Sequence, residues 1–190
     1  MRRAREAGYR SRAAFKLLEI DARERLLRPG AKVVDLGAAP GGWSQIAAGR
    51  VKPGGLVVAV DLLEIAPISG VTVLRGDFCD AALQEAIIAA LGGAKADLVL
   101  SDLSPNLSGI ASADQARAAE LLRSAIAFCC RQLKPGGAFL VKLFQGEEFA
   151  AGLAALKAVF REVRTRKPAA SRGESRETYL LARGLKGLRR

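Results

Sequence analysis

Asp35-Leu36-Gly37-Ala38-Ala39-Pro40-Gly41-Gly42-Trp43-Ser44 decides how this chain reads. The apolar run Lys32-Val33-Val34 before it predicts a buried strand, and Ser44-Gln45-Ile46-Ala47-Ala48 after it predicts a helix. Strand, glycine-rich turn and helix in that order begin a nucleotide-binding α/β sheet, because glycines let the backbone approach a ligand at the strand's carboxyl end. The flanking residues must say which ligand.

Outward from that turn, apolar runs at 56–61, 71–74, 96–101 and 138–142 predict further strands, and 162–166 and 178–182 predict the last two. Helical spacing predicts helices over 81–91, from Ser112 or Asp114 to Leu133, and over 149–160. Upstream, Phe15, Leu18, Ala22 and Leu26 recur every three or four residues, which predicts a helix over 11–27 with Ser11 as its N-cap. Lys52-Pro53-Gly54-Gly55 and Lys134-Pro135-Gly136-Gly137 each predict a turn between a helix and a strand. Strands alternating with helices of this length predict a mostly parallel, doubly wound sheet with helices on both faces, in a single domain spanning 1–190.

Of the 190 residues half are apolar, and no apolar run reaches the roughly 18 residues of a membrane span. The Arg-rich start lacks the apolar core of a secretory signal, and three cysteines fit a reducing compartment, so a cytoplasmic protein is expected. With no histidine and only Cys79, Cys129 and Cys130, a metal site is not expected. The missing histidine also leaves acid–base work to Lys, Asp or Glu. The net charge of +11 is concentrated at the two ends: residues 1–28 carry nine Lys/Arg against four acids, and residues 157–190 eleven against three. A nearly neutral body with basic ends suits a polyanion held where those ends meet, whereas Arg-rich termini that merely add solubility are the plainer reading.

In such a sheet ligands sit beyond the carboxyl ends of the strands. Asp35, Asp61, Asp77, Asp102 and Lys142 stand at or just after successive strand ends, a series that points to a site. Asp61 is placed to accept hydrogen bonds from both hydroxyls of an adenosine ribose, as in a nicotinamide or S-adenosylmethionine site. A dinucleotide fingerprint would need glycine where Ala39 stands, and S-adenosylmethionine, with no phosphate to cradle, fits the looser turn better. Asp77 and Phe78 then suit the adenine.

Four blocks make the reading specific: 35–45, Ser101-Asp102-Leu103-Ser104-Pro105-Asn106-Leu107-Ser108-Gly109, Val141-Lys142-Leu143-Phe144-Gln145-Gly146 and Ser175-Arg176-Glu177-Thr178-Tyr179. With Arg10-Ser11-Arg12-Ala13-Ala14-Phe15-Lys16-Leu17 ahead of them, they resemble, in order, the signature blocks of the FtsJ-like RNA ribose 2′-O-methyltransferases. The resemblance runs from about Gly8 to Arg183 and is greatest to members that methylate a uridine ribose in 23S rRNA of the large ribosomal subunit. It implies a Rossmann-like class I S-adenosylmethionine-dependent methyltransferase fold and an rRNA partner, and a monomer is expected. It places the catalytic set on Lys16, Asp102, Lys142 and Glu177, and the S-adenosylmethionine contacts on Gly41, Trp43, Asp61, Asp77 and Asp102. Family members often carry a longer segment before the first block, which leaves part of the RNA contact open here.

Chemically, a methyl already activated on sulfonium leaves the enzyme to align a ribose oxygen and remove its proton. Lys142 is the candidate base. Lys16 would favour its neutral form and the two acids its charged form, so the sequence leaves open whether Asp102 and Glu177 orient the lysines or the ribose. Trp43 taken alone reads equally well as core, and Asp35 as an acceptor for the backbone of the glycine turn. The RNA is expected to present its ribose extruded or single-stranded, with Arg2, Arg3, Arg5, Arg10 and Arg12 at one end and Arg164, Arg166, Lys167, Arg172 and Arg176 at the other as phosphate contacts.

Overall fold

The computed structural model describes residues 4, 6–104, 109–170 and 177–186. Its elements are α1 (Ala13–Glu24), β1 (Lys32–Leu36), α2 (Gly42–Arg50), β2 (Leu56–Asp61), β3 (Val71–Arg75), α3 (Ala81–Ala90), β4 (Ala96–Ser101), α4 (Ala111–Gln132), β5 (Leu133–Phe144), α5 (Glu147–Val159), β6 (Phe160–Arg166) and β7 (Glu177–Leu185). The strands form one seven-stranded sheet in the order β3-β2-β1-β4-β5-β7-β6. The first five are parallel, and β7 runs against both β5 and β6.

Side-chain alternation splits the core into two layers. Val33, Val57, Leu98, Leu100, Leu140 and Leu181 face α1 and α2 through Leu17, Ile20, Ile46 and Ala47. Val34, Val58, Val99, Phe139 and Leu180 face α3, α4 and α5 through Ile87, Phe128, Cys129 and Leu156. Strands covered on both faces must be apolar at nearly every position, which is why they read as unbroken Val/Leu runs. The strand order reverses direction at β1, between β2 and β4, so a crevice opens beyond their carboxyl ends.

Three local expectations are corrected. Helix α1 starts at Ala13 with Arg12 at the N-cap and no side-chain cap; Ser11 packs instead against the backbone of Gly42, in space that a Cβ there would occupy. The helix stops at Arg25 because that residue turns left-handed, with φ 52°, while Asp21 Oδ1 accepts the Leu27 N–H at 2.8 Å. Neither Ser112 nor Asp114 is the N-cap of α4. Ile110 holds that position, and Asp114, in the first turn, reaches back to accept the Gly109 N–H at 3.3 Å.

The two Lys-Pro-Gly-Gly tetrapeptides also differ. The first turns through Gly54 at φ 78°. The second stays extended inside β5 and bulges, the register slipping between Ala96↔Leu133 and Leu98↔Ala138. Gly137 is needed there because a Cβ would lie 2.8 Å from the Leu133 side chain and 3.0 Å from the Asp97 carbonyl oxygen. Among the described residues no helix is long and apolar enough to cross a membrane.

Candidate active site

At the crevice the carboxyl ends of β1, β2 and β4 and the loop after β3 wall a cavity of about 520 Å³, lined in part by Gly37, Asp61, Asp77, Phe78, Asp102 and Leu103. Gly37 is required by the backbone: its φ is 73°, and a Cβ would lie 2.8 Å from the Leu103 nitrogen. Asp61 accepts the Ala39 N–H on Oδ2 and the Leu63 N–H on Oδ1, both at 2.8 Å, which fixes its carboxylate at the cavity wall. Each oxygen keeps a lone pair for a further donor. Asp77 Oδ1 likewise accepts the Cys79 N–H at 2.9 Å. Phe78 is largely core, edge-on to Phe128 with centroids 5.5 Å apart, and only part of its ring reaches the cavity. Leu62 and Leu63, which the sequence did not single out, supply exposed apolar walls.

Lys16, Asp102, Lys142 and Glu177 come together as two ion pairs. Lys142 Nζ lies 2.8 Å from Asp102 Oδ1 and donates to the Asp102 carbonyl oxygen at 3.0 Å. Lys16 pairs with Glu177. Both lysine side chains are 7% exposed, so each ammonium has its carboxylate at the point where water is lost. Burial raises the Asp102 pKa above the usual carboxylate range, against the pull of Lys142 and Lys16 and with a smaller push from Glu177.

Antiparallel pairing makes this arrangement possible, because Lys142 stands opposite Tyr179 and Phe144 opposite Glu177. The Tyr179 ring lies under Lys16, 5.8 Å from Nζ, and tilts against Trp43 at 5.6 Å. Its hydroxyl is buried without a hydrogen-bond partner among the described residues, and burial, then the charges of Asp102 and Glu177, push its pKa up. Sequence reasoning passed over Tyr179; the signal was its place two residues after Glu177, on the same face of the strand.

Two expected cofactor contacts lie outside the cavity wall. Trp43 is buried, and its Nε1 donates to the Ala13 carbonyl at 2.8 Å, so its side chain fastens α1 to α2. Gly41, at φ 101°, sits against Ile65, Ile68 and Arg10, leaving no room for a Cβ. Arg10 donates to the carbonyls of Ala66 and Pro67 at 2.6 Å and of Pro40 at 3.4 Å, so its guanidinium is committed to loops rather than free for phosphate. Gln45 completes this staple by donating to the Gly8 carbonyl and accepting the Arg10 N–H.

Asp35 is more than a backbone acceptor: it is fully buried and accepts the Ser44 hydroxyl at 2.6 Å. Burial pushes its pKa up to about 7, opposed by the Ser44 hydrogen bond and reinforced by Asp102 and Asp61. Arg2, Arg3, Arg5, Arg172, Arg176 and the segment 105–108 lie outside the described residues. Among the described residues no group of three or more His, Cys, Asp or Glu side chains is placed to hold a metal.

A profile of the FtsJ-like methyltransferases matches residues 9–185. A curated relative from Chromohalobacter salexigens, ribosomal RNA large subunit methyltransferase E, is 53% identical over 98% of this chain and 89% of its own. A crystal structure from Plasmodium falciparum described as a ribosomal RNA methyltransferase superposes with a TM-score of 0.82 at 29% identity, covering 93% of this chain and 98% of that one. Aeropyrum pernix fibrillarin, solved with natively bound S-adenosyl-L-methionine, shares the fold at a TM-score of 0.64 and 15% identity, over 92% of this chain and 75% of that one. The sheet is thus the Rossmann-like class I methyltransferase sheet, and the chain belongs to the FtsJ-like methyltransferase family.

Proposed function

We propose that the protein transfers a methyl group from S-adenosylmethionine to a ribose 2′-hydroxyl of RNA, at a uridine of 23S rRNA in the large ribosomal subunit, in the cytoplasm. One observation carries the chemistry: Asp102 belongs both to the cavity wall and to the ion pair that holds Lys142. Donor pocket and base are thereby joined through one side chain. The RNA substrate is supported by the relative that shares about half of its residues with this chain and is named for it.

The cavity suits the donor. Asp61 is positioned for a ribose, Asp77 for an adenine amino group, and Leu62 and Leu63 for the flat apolar faces of the base. The glycine turn brings backbone rather than side chains to the middle of the site. Gly41 and Trp43 serve from behind, by shaping the turn.

When bound, S-adenosylmethionine supplies an activated methyl, so the protein's tasks are alignment and proton removal. Lys142 Nζ, in its neutral form, takes the proton of the ribose hydroxyl, and Asp102 holds it in place. Lys16, fixed by Glu177 and by the Tyr179 ring, holds the hydroxyl oxygen as a donor from the other side.

Incubation with labelled S-adenosylmethionine and undermethylated large subunits, free 23S rRNA or tRNA, followed by mapping, tests the reading. Label on a single uridine ribose of 23S rRNA is expected. Label confined to tRNA or to a base would overturn it.

A further inference from the structure

The two basic ends of the chain meet at a second place, away from the catalytic cavity. At the opposite end of the sheet, the loop after α1, the bulge of β5 and the far part of β7 enclose a cleft of about 440 Å³. Arg25, Arg28, Lys134 and Arg183 line it, and its one acid, Asp97, is already held by Lys134 Nζ at 2.6 Å and by the Lys32 N–H at 2.8 Å. Gly30 and Gly136, also in the lining, have open space where a Cβ would stand, so no side chain from either position blocks approach to the backbone.

We infer that this cleft binds the phosphodiester backbone of the RNA substrate at a distance from the methylated ribose. Two of its three arginines are preset for it. Arg28 Nε donates to the Arg25 carbonyl at 3.1 Å, and Arg183 Nη2 to the Glu24 carbonyl at 2.8 Å, so their remaining donors are oriented before any ligand arrives. Oriented guanidinium forks suit phosphate oxygens better than mobile lysines do. Arg25 and Arg28 are exposed, whereas Arg183 spends part of its charge on Glu24 at 3.4 Å.

The geometry relates the cleft to the chemistry. Glu177 and Arg183 stand on the same face of β7, six residues apart, which is about 20 Å. Helix α1 lies along that face, with Lys16 towards the catalytic end and Arg25 just past the other. Arg23, 68% exposed and paired with Glu19 at 3.5 Å, lies between them. An RNA strand following α1 would meet cations along its path, and the β5 bulge that replaces the expected turn is what brings Lys134 to it.

The inference rests on the rRNA reading, and the test separates the two. Binding of 23S rRNA or large subunits is measured against salt for the wild type, for Arg25→Gln/Arg28→Gln and for Arg25→Lys/Arg28→Lys. The glutamine variant is expected to bind at least about tenfold more weakly at low salt, with its log–log salt slope reduced by about 1.4 to 1.8, as for two lost phosphate contacts. S-adenosylmethionine affinity and kcat at saturating RNA should be unchanged, and the lysine variant should restore the slope. In the wild type, bound RNA should protect Lys134 from acetylation, a readout independent of any substitution. An unchanged slope, an unprotected Lys134, or micromolar binding of pyrophosphate with RNA affinity unaffected by the variants would overturn the phosphodiester site. Absence of rRNA methylation by the wild type would instead overturn the functional reading.

Discussion

Asp35 shows how one buried carboxyl ties stability to pH. Its folded pKa of about 7 lies above the 3.8 of the free side chain, so the native state holds a proton that the unfolded chain has released between those values. Stability from this group is therefore fully present below about pH 4 and is lost as pH rises to about 7, on the order of 4 kcal/mol in total. Asp35→Asn keeps an acceptor for the Ser44 hydroxyl and removes the titration. The difference in Tm between variant and wild type should move in the variant's favour from pH 4 to pH 8; a constant difference would contradict the burial argument. Lys142 is tested by function. Lys142→Ala should abolish methyl transfer, seen in single turnover, while S-adenosylmethionine affinity by calorimetry stays within about twofold, because the side chain faces Asp102 and Phe144 and is not part of the cavity wall.

Helix α1 carries Lys16 and owes its placement to acids that reach β6, β7 and the loop after β6. Glu24 pairs with Arg166 of β6 and Arg183 of β7, and Glu19 accepts the N–H groups of Ala169 and Ala170 at 3.0 and 3.2 Å. Two of the basic residues near the C-terminus thus act as fasteners, Arg166 and Arg183 holding Glu24, whereas Arg164 pairs with Glu162 of its own strand. Glu24→Ala should lower stability by about 2 kcal/mol, since Glu24 is 6% exposed and its loss strands two partly buried guanidinium groups. Turnover should fall with it as Lys16 loosens, which chemical denaturation and kcat measured on one preparation would report. The glycine turn makes a sharper test. Gly37→Ala places a Cβ at positive φ and against the Leu103 backbone, a cost of roughly 1–2 kcal/mol before the clash is counted, and S-adenosylmethionine binding should be weakened severalfold in calorimetry.

The net charge of +11 on the whole molecule makes its rRNA affinity electrostatic in large part. With about five phosphate contacts, affinity should fall roughly 100-fold between 50 and 200 mM salt in a filter-binding titration; a flat response would exclude a basic RNA surface altogether. The charges act through the fold as well as on the ligand, for the C-terminal basic segment supplies β6 and β7 and the N-terminal one the helix α1 that packs on the sheet. Arg183 does both, bonding the end of α1 while lining the distal cleft.

The order of strands and helices was legible in the sequence because the central strands β1, β2, β4 and β5 are buried on both faces and announce themselves as apolar runs, with the half-exposed edge strands β3 and β6 falling beside helices α3 and α5. The acids at strand ends and the glycine turn were legible because a ligand crevice at the reversal of strand order needs those residue types there. Pairing was not. Glu177 could have been a surface charge and Lys16 a solvated one, since they lie 161 positions apart along the chain. It is the antiparallel insertion of β7 between β5 and β6, with α1 laid across it, that turns them into an ion pair beside Lys142. The sequence by itself determined the fold class and the family, which rest on local patterns, and it named the candidate residues that the fold gathers at the crevice. Only the tertiary structure decided that Asp102 holds Lys142 and Glu177 holds Lys16, that Trp43 and Arg10 are fasteners, and that Lys134-Pro135-Gly136-Gly137 bulges instead of turning. Those outcomes depend on which distant backbone arrives alongside, and side-chain burial, charge pairing and strand register are fixed only at that meeting.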